Sequence, residues 1–485
     1  MVTMQTILSC IVIFALFSPA IAAHSIADFG AVTNDVSVSA AAANTLALQK
    51  ALVAANSSTT DHVALVPAGA SYCYFWVKVD YLVNVTLQID GTLLVSNNIS
   101  ATEWPVEGEF ASLWFENARG LTLMGNGMID GQGYDWWWHV IITKQDHRPH
   151  MVKIASSQDI LISNLRFENS PQYHLKLDHI MNAIIRNISI FVDVGKQKEL
   201  HLKSQTWLPL GNATHGLISK YKDYIPGSVL NSIKSDLPEE LEKILEALGI
   251  PTFPLNTDGI DPSGKNILIE NVTITNFDDA VAVKPSSGGD MFSSCSQNMT
   301  IRNAYVKFGV GMTIGSVPPN KNVNCVRNIT FENITFEHPI KTVYIKSNPG
   351  DSGSGTIDSI TYRHIHANWP LWYPLWIGPQ QQRQPGTAGT GCSFFYPIVN
   401  ECPTQPRVSM TNIVLDDVVF ENGITLPGVM LANVSTPYTN FRFANVTNTG
   451  FLSGKFLLDQ NYVCENVQGE ADNTTSPLPA CFKQR

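Results

Sequence analysis

The middle of the chain repeats one short pattern. Alternating β-branched and aromatic residues are broken near the centre of each run by a polar residue, usually asparagine. The runs are ILISNLRF (Ile160 to Phe167), AIIRNISI (Ala183 to Ile190), ILIENVTI (Ile267 to Ile274), MTIRNAYV (Met299 to Val306), ITFENITF (Ile329 to Phe336) and ITYRHIHA (Ile360 to Ala367), and NIVLDDVVF (Asn412 to Phe420) continues them. Their central polar residues are Asn164, Asn187, Asn271, Asn303, Asn333 and His364, at steps of 23, 84, 32, 30 and 31 residues. A period-two alternation predicts strands with one face buried. The short step is the length of one structural coil, and the longer ones are a coil plus an inserted loop. Short strands at such a period predict a parallel β-helix. Asparagine tolerates the left-handed backbone at a coil corner and can stack along the axis. A β-sandwich would need Asn-Gly or Asp-Gly hairpins between strand pairs, and few occur.

Two segments break the repeat. Residues 192–254 form one insertion, in which DLPEELEKILEALG (Asp236 to Gly249) predicts a short amphipathic helix. Its apolar face is Leu237, Leu241, Ile244, Leu245 and Leu248, with Asp236 as N-cap and Gly249 as terminator. Residues 368–411, rich in tryptophan and tyrosine, form the second. Loops of this length in a compact fold are usually functional.

The N-terminus changes the compartment. The apolar run Ile7 to Phe17 is followed by Ser18-Pro19 and the small-x-small Ala20-Ile21-Ala22, which reads as a secretory signal cut near Ala22. That leaves residues 23–485 as one solenoid domain. No later stretch is expected to span a bilayer, so the protein is expected to be secreted, extracellular and monomeric, with no membrane partner. Asn-x-Ser/Thr acceptors at Asn56, Asn84, Asn98, Asn187, Asn212, Asn271, Asn298, Asn328, Asn333, Asn433, Asn445 and Asn473 fit a glycoprotein. Once Cys10 leaves with the signal, the expected disulfides are Cys392–Cys402, Cys464–Cys481 and Cys295–Cys325, with Cys73 left over. No Cys/His spacing suits zinc.

Composition narrows the function. Over 485 residues, 44% are hydrophobic and 15% charged, which excludes disorder. The net charge of −10, with no long basic run, argues against a nucleic-acid partner.

The candidate chemistry is a group of carboxylates. Asp258 lies in LNTDGID, and Asp278-Asp279 lie in NFDDAVAVK 20 residues on, close to one coil. Positions one coil apart stack at about 4.8 Å, so these acids should cluster, with Asp261 nearby. Isolated aspartates at coil corners commonly do no more than close Asx turns. Three together repel one another, which raises the pKa of one member and suits it as a general acid while a neighbour stays ionised as base.

NTDGID, the Asp-Asp pair, GVGMTIGSV (Gly309 to Val317) and YIKS (Tyr344 to Ser347), in this order, resemble the polygalacturonase family, family 28 of the glycoside hydrolases. GQGYDWWW (Gly131 to Trp138) and SPQYHLKL (Ser170 to Leu177) add to the likeness. The resemblance implies an all-β, right-handed parallel β-helix that hydrolyses glycosidic bonds with inversion and needs no metal or other cofactor. It implies Asp278 as general acid, and Asp258 and Asp279 as the pair holding the attacking water. Inverting enzymes commonly space their carboxyl groups by about 6.5–9.5 Å.

Departures from the family pattern concern the sugar. Phe277 stands where the family has glycine, Val310 where it has histidine and Tyr344 where it has arginine, while Lys346 is kept. Arginine reads a sugar carboxylate through a bidentate fork, and tyrosine cannot. With Val310, Tyr344 suggests a wall suited to the methyl of a deoxy sugar. The expectation is therefore an enzyme that releases terminal α-L-rhamnose from rhamnosides or rhamnose-bearing pectin, exo-acting because the insertions 192–254 and 368–411 can wall off one end of the cleft. Release of terminal galacturonic acid, as by an exo-polygalacturonase, is the alternative, and a sugar-binding β-helix without catalysis is the third reading. Candidate sugar-contacting residues are Lys346, Tyr344, Val310, Asn256, His174, Trp372 and Trp376. His174 also reads as a hydrogen-bonded coil histidine, and Trp136 to Trp138 as a sugar platform or, more commonly for such a run, as packing for a cap.

Overall fold

A computed structural model describes residues 23–143, 145–193, 256–286, 295–319, 324–350, 353–381 and, with short gaps, 391–450 and 461–485. The expected signal, most of the first insertion and its helix lie outside these residues.

The described chain winds as a right-handed parallel β-helix. Its 27 strands pair in parallel, coil upon coil. Each turn contributes to three sheets, and register fixes which residues stack. Ile162, Ile185, Ile269, Ile301, Phe331, Tyr362, Leu415 and Phe443 form one inward column, each paired with the next. All are essentially buried, and burial of each such side chain contributes about 1.5–3 kcal/mol. Phe331 and Tyr362 stack with ring centroids 4.6 Å apart. The buried Tyr362 hydroxyl donates to the Met312 carbonyl at 2.9 Å.

The repeated central asparagines sit where one sheet passes to the next. Asn164, Asn187, Asn271, Asn303, Asn333 and His364 all have φ between +53° and +58°. The Nδ2 of Asn187, Asn271, Asn303 and Asn333 donates to the Oδ1 of the asparagine one coil before, at 3.3, 3.2, 3.2 and 2.8 Å. A second ladder, unread in the sequence, runs through Asn182, Asn266, Asn298 and Asn328. Several of the acceptor asparagines therefore serve as corner residues of the coils.

The coil strands before Ile160 run from His24–Ser25 and Val63–Val66 onward and are too short for the repeat to show. Two expectations change. The second insertion is smaller than 368–411. Gly355–Asn368 and Leu375–Pro379 are coil strands that pair with their neighbours, and the next begins at Val408. Of the aromatic residues that suggested a loop, Trp376 lies in a strand, and Tyr373 and Tyr396 are buried against it. Finally, helix α1 (Val38–Ser57) is long and apolar enough by length and composition to cross a membrane. Its apolar face, Ala40, Ala41, Ala47, Leu48, Ala51, Leu52 and Ala55, is buried, and it packs on the first strands and covers the open end of the stack. Ser37 caps its start by accepting from the Ala40 N–H at 3.3 Å.

The disulfides are Cys295–Cys325, Cys392–Cys402 and Cys464–Cys481, and Cys73 is a buried free thiol.

Candidate active site

One of the three sheets carries the acids. It contains Leu175–Asp178, Ile260–Pro262, Val281–Val283, Met312–Val317, Val343–Ser347 and Leu375–Pro379. Asp258 sits just before the second of these segments and Asp278-Asp279 just before the third, so stacking brings them together. One oxygen from each of Asp258, Asp278 and Asp279 lies within 4.8 Å of the others. These nearest oxygens are closer than the expected 6.5–9.5 Å, since Asp278 and Asp279 are neighbours in sequence and Asp258 lies one coil away. A water at about 2.8 Å from two oxygens separated by 4.8 Å subtends roughly 120°, an acceptable hydrogen-bonding geometry.

Backbone and side-chain ties hold the two acidic loops together. Asn276 Nδ2 lies 3.0 Å from the Thr257 carbonyl, 3.0 Å from that of Asp278 and 2.9 Å from that of Asp279. Gly309 N–H returns a bond to the Asn276 carbonyl, and Val310 N–H donates to Asp278. Gly309 and Gly311 have φ of +69° and +91°, and a Cβ on Gly311 would stand 2.6 Å from the Thr342 carbonyl oxygen. That corner therefore requires glycine.

The acids have different surroundings. Asp279 is buried and fully engaged: Thr313 Oγ1 donates to its Oδ1 at 2.7 Å and Lys346 Nζ to its Oδ2 at 2.8 Å. Asp278 is the most open of the three. Its Oδ2 accepts the Asn256 N–H at 2.8 Å and its Oδ1 the Asp279 N–H at 2.9 Å. Burial, then the Asp279 charge, raises the Asp278 pKa. Asp258 is raised well above the carboxylate range by burial, then by Asp261 and Asp278. Asp261 is pushed up to about 6 by burial, opposed first by Lys284. Lys284 Nζ lies 3.2 Å from Asp261 and 3.8 Å from Asp258. Three clustered carboxylates also make a hard-cation donor set, but the ammoniums of Lys346 and Lys284 already supply positive charge at that place.

The predicted sugar-contacting residues divide. Val310, Tyr344, Trp372 and Trp376 belong to one apolar cluster, with Tyr344 and Trp376 buried and Val310 and Trp372 half-buried against them. Trp376 is fully buried within it and donates its indole N–H to the Pro379 carbonyl at 2.9 Å. It is thus a packing residue and cannot stack on a sugar. His174 is also fully buried. Its Nδ1 lies 3.0 Å from the Asp258 carbonyl and its Nε2 accepts the Ser170 N–H at 3.3 Å. Burial lowers its pKa to about 4, so the ring is neutral and anchors the Asp258 backbone. Asn256 has φ +61°, presents its N–H to Asp278 and accepts the buried Arg148 guanidinium on Oδ1 at 3.1 Å. Trp136 and Trp137 are buried, as a cap requires. Phe277 stacks on Phe308 at 5.2 Å, closing that edge.

Sequence reasoning missed Asn276, Thr313 and Lys284. Each stands within a quoted motif or one residue from its start, and only the coil stacking shows that they face the acids. One coil further, a cavity of about 300 Å³ is lined by Glu109, Arg148, His150, Tyr173 and Lys176 among others.

A parallel solenoid with four carboxylates and several lysines gathered on one sheet has the make-up of a β-helical carbohydrate enzyme. Residues 60–203 and 244–473 match Glycosyl hydrolases family 28, and the chain belongs to that family. It is 25% identical over 329 residues to the probable exopolygalacturonase C of Aspergillus niger, spanning 66% of this chain and 59% of that protein. It is 26% identical over 282 residues to endo-xylogalacturonan hydrolase A of Aspergillus tubingensis, spanning 57% and 53%. The match thus covers between about half and three fifths of these relatives' length. The solved endo-xylogalacturonan hydrolase from A. tubingensis superposes with a TM-score of 0.60 and 19% identity, over 91% of this chain and 95% of its own. A hyperthermoactive exopolygalacturonase from Thermotoga maritima gives 0.56 and 14%, over 95% and 91%. At these identities the superpositions speak for the fold.

Proposed function

We propose that the protein is a secreted glycosidase that hydrolyses a pectic polysaccharide by single displacement, releasing galacturonic acid from the chain end. The observation that carries the chemistry is the contrast between Asp278 and Asp279. Asp278, raised in pKa and the most open of the three acids, is placed to protonate the leaving oxygen. Asp279, held by Lys346 and Thr313, is placed to take the proton of a water. Asp258 orients that water from the other side. Double displacement needs a carboxylate free to attack carbon. Asp279 has both oxygens engaged and Asp258 is buried, which favours water as the attacking group.

Exopolygalacturonases among the relatives support the substrate. The signal-like residues 1–22, with 23–485 as the mature domain, and three disulfides support export. Release of terminal rhamnose is the second reading, favoured by the Val310 and Tyr344 wall. Purified protein is to be incubated with oligogalacturonates and with an aryl α-L-rhamnoside. Galacturonic acid as the first product supports the main reading, and rhamnoside cleavage alone replaces it with the second. Asp278→Asn should lose turnover by orders of magnitude while still binding sugar. Retained turnover would remove Asp278 from the acid role.

A further inference from the structure

Arg148 stands just before the strand His150–Ala155 of the acid-bearing sheet and is buried although it carries a full charge. Its guanidinium ties together residues that are far apart in sequence. Nε and Nη2 donate to the two carboxylate oxygens of Asp146, each at 2.8 Å. Nη1 donates to the Pro171 carbonyl at 3.1 Å, and Nη2 donates again to Asn256 Oδ1 at 3.1 Å. Pro171 lies in the coil whose His174 anchors the Asp258 backbone. Asn256 opens the loop that carries Asp258, with a left-handed backbone at φ +61°. Its own N–H donates to Asp278 Oδ2 at 2.8 Å. A chain of two hydrogen bonds thus runs from the buried guanidinium through Asn256 to the carboxyl assigned as general acid.

We propose that Arg148 is a positioning residue for the general acid: it holds Asn256 so that the Asn256 N–H keeps the Asp278 carboxyl aimed at the leaving oxygen. This rests on the acid role given to Asp278 above and is independent of which sugar is released. Asn256 precedes the strand that begins at Ile260, so its direction is set by the bonds it makes with Arg148 and Asp278 rather than by the sheet. A guanidinium suits the task, because its planar fork engages Asp146 with two N–H groups and still directs a third at Asn256. Asp146 also pairs the charge, as a buried cation requires. A general acid acts only while it stays within hydrogen-bond reach of the departing atom, and a small misplacement caused at a distance is enough to cost rate.

The test compares Arg148→Met and Asn256→Gly with the wild type on two substrates that share the sugar and differ in the leaving group. One is an oligogalacturonate, whose departing oxygen must be protonated. The other is dinitrophenyl galacturonide, whose phenolate leaves without a proton. The quantity read is kcat on the first divided by kcat on the second. Both variants should lower this ratio roughly 10- to 100-fold. A merely structural role slows both substrates alike, so an unmoved ratio overturns the inference. Asn256→Gly tolerates the left-handed backbone and removes the acceptor for Arg148, so it decides the matter if the methionine variant does not fold. Asp278→Asn, measured alongside, separates this inference from the reading it rests on. Its ratio should fall further still, and if it does not fall, the acid role of Asp278 is overturned rather than the part of Arg148 alone. If the wild type cleaves rhamnosides instead, the same pair of leaving groups on rhamnose reads the same ratio.

Discussion

Thr313 offers the sharpest test of the assignment of Asp279. Its hydroxyl donates to Asp279 Oδ1 at 2.7 Å, and both residues are buried. Thr313→Val keeps the branched shape that a strand favours and replaces the donor with a methyl. Lys346 still binds Oδ2, so the carboxylate stays paired but its other oxygen has lost this donor. A hydrogen bond to a charged group is worth about 1.5–3 kcal/mol, which corresponds to roughly 10- to 100-fold in rate if the ionised form is the base. The assay is reducing-sugar release from oligogalacturonate, with kcat and KM separated. A variant within twofold of wild type in kcat refutes the base role of Asp279.

Asn276→Ala removes the amide that ties the carbonyls of Thr257, Asp278 and Asp279. It should cost about 3–5 kcal/mol in chemical denaturation and lower kcat at least 100-fold; a loss below 1 kcal/mol contradicts its role as the tie between the acidic loops. The pH dependence of Asp261 has a definite sign. Its pKa is raised from 3.8 to about 6, so its contribution is most favourable below pH 4 and is lost as pH rises through 6. Asp261→Asn should then gain on wild type by up to about 3 kcal/mol between pH 4 and pH 7; an opposite trend in thermal unfolding counts against the assigned direction. Cys73 is buried with its pKa pushed up to about 11, so it should resist alkylation at pH 8 until the protein unfolds. Single displacement predicts the inverted anomer as first product by proton NMR, and retention there would require a free carboxylate nucleophile.

Much of the fold was legible because a solenoid is periodic. The corner asparagines repeat at coil spacing, and alternation around them declares which side chains face inward. That information is local, so ILIENVTI and ITFENITF announce their strands without help from distant residues. The acids were legible for the same reason, since Asp258 and Asp278 are separated by one coil. The disulfides Cys392–Cys402 and Cys464–Cys481 are local loops as well. Aromatic residues misled where burial, which a sequence does not display, decides their part. Trp376 and His174 look like groove residues by type and position, yet one fills the packing beside Tyr344 and the other holds the Asp258 backbone.

By itself, the amino-acid sequence determined the coil, its corners and the four aspartates, because each depends on residues within about one turn. The tertiary structure decided the electrostatics. Thr313, Lys284, Lys341 and Asn276 come from successive coils, and only stacking places them against the acids. Whether an aspartate is base or acid depends on those neighbours and on burial, which belong to the folded stack rather than to any stretch of chain. The missing arginine shows the difference: in the sequence it reads as a lost charge, whereas in the fold two lysine ammoniums lie 4.6 and 4.9 Å from the ring of the tyrosine that replaced it.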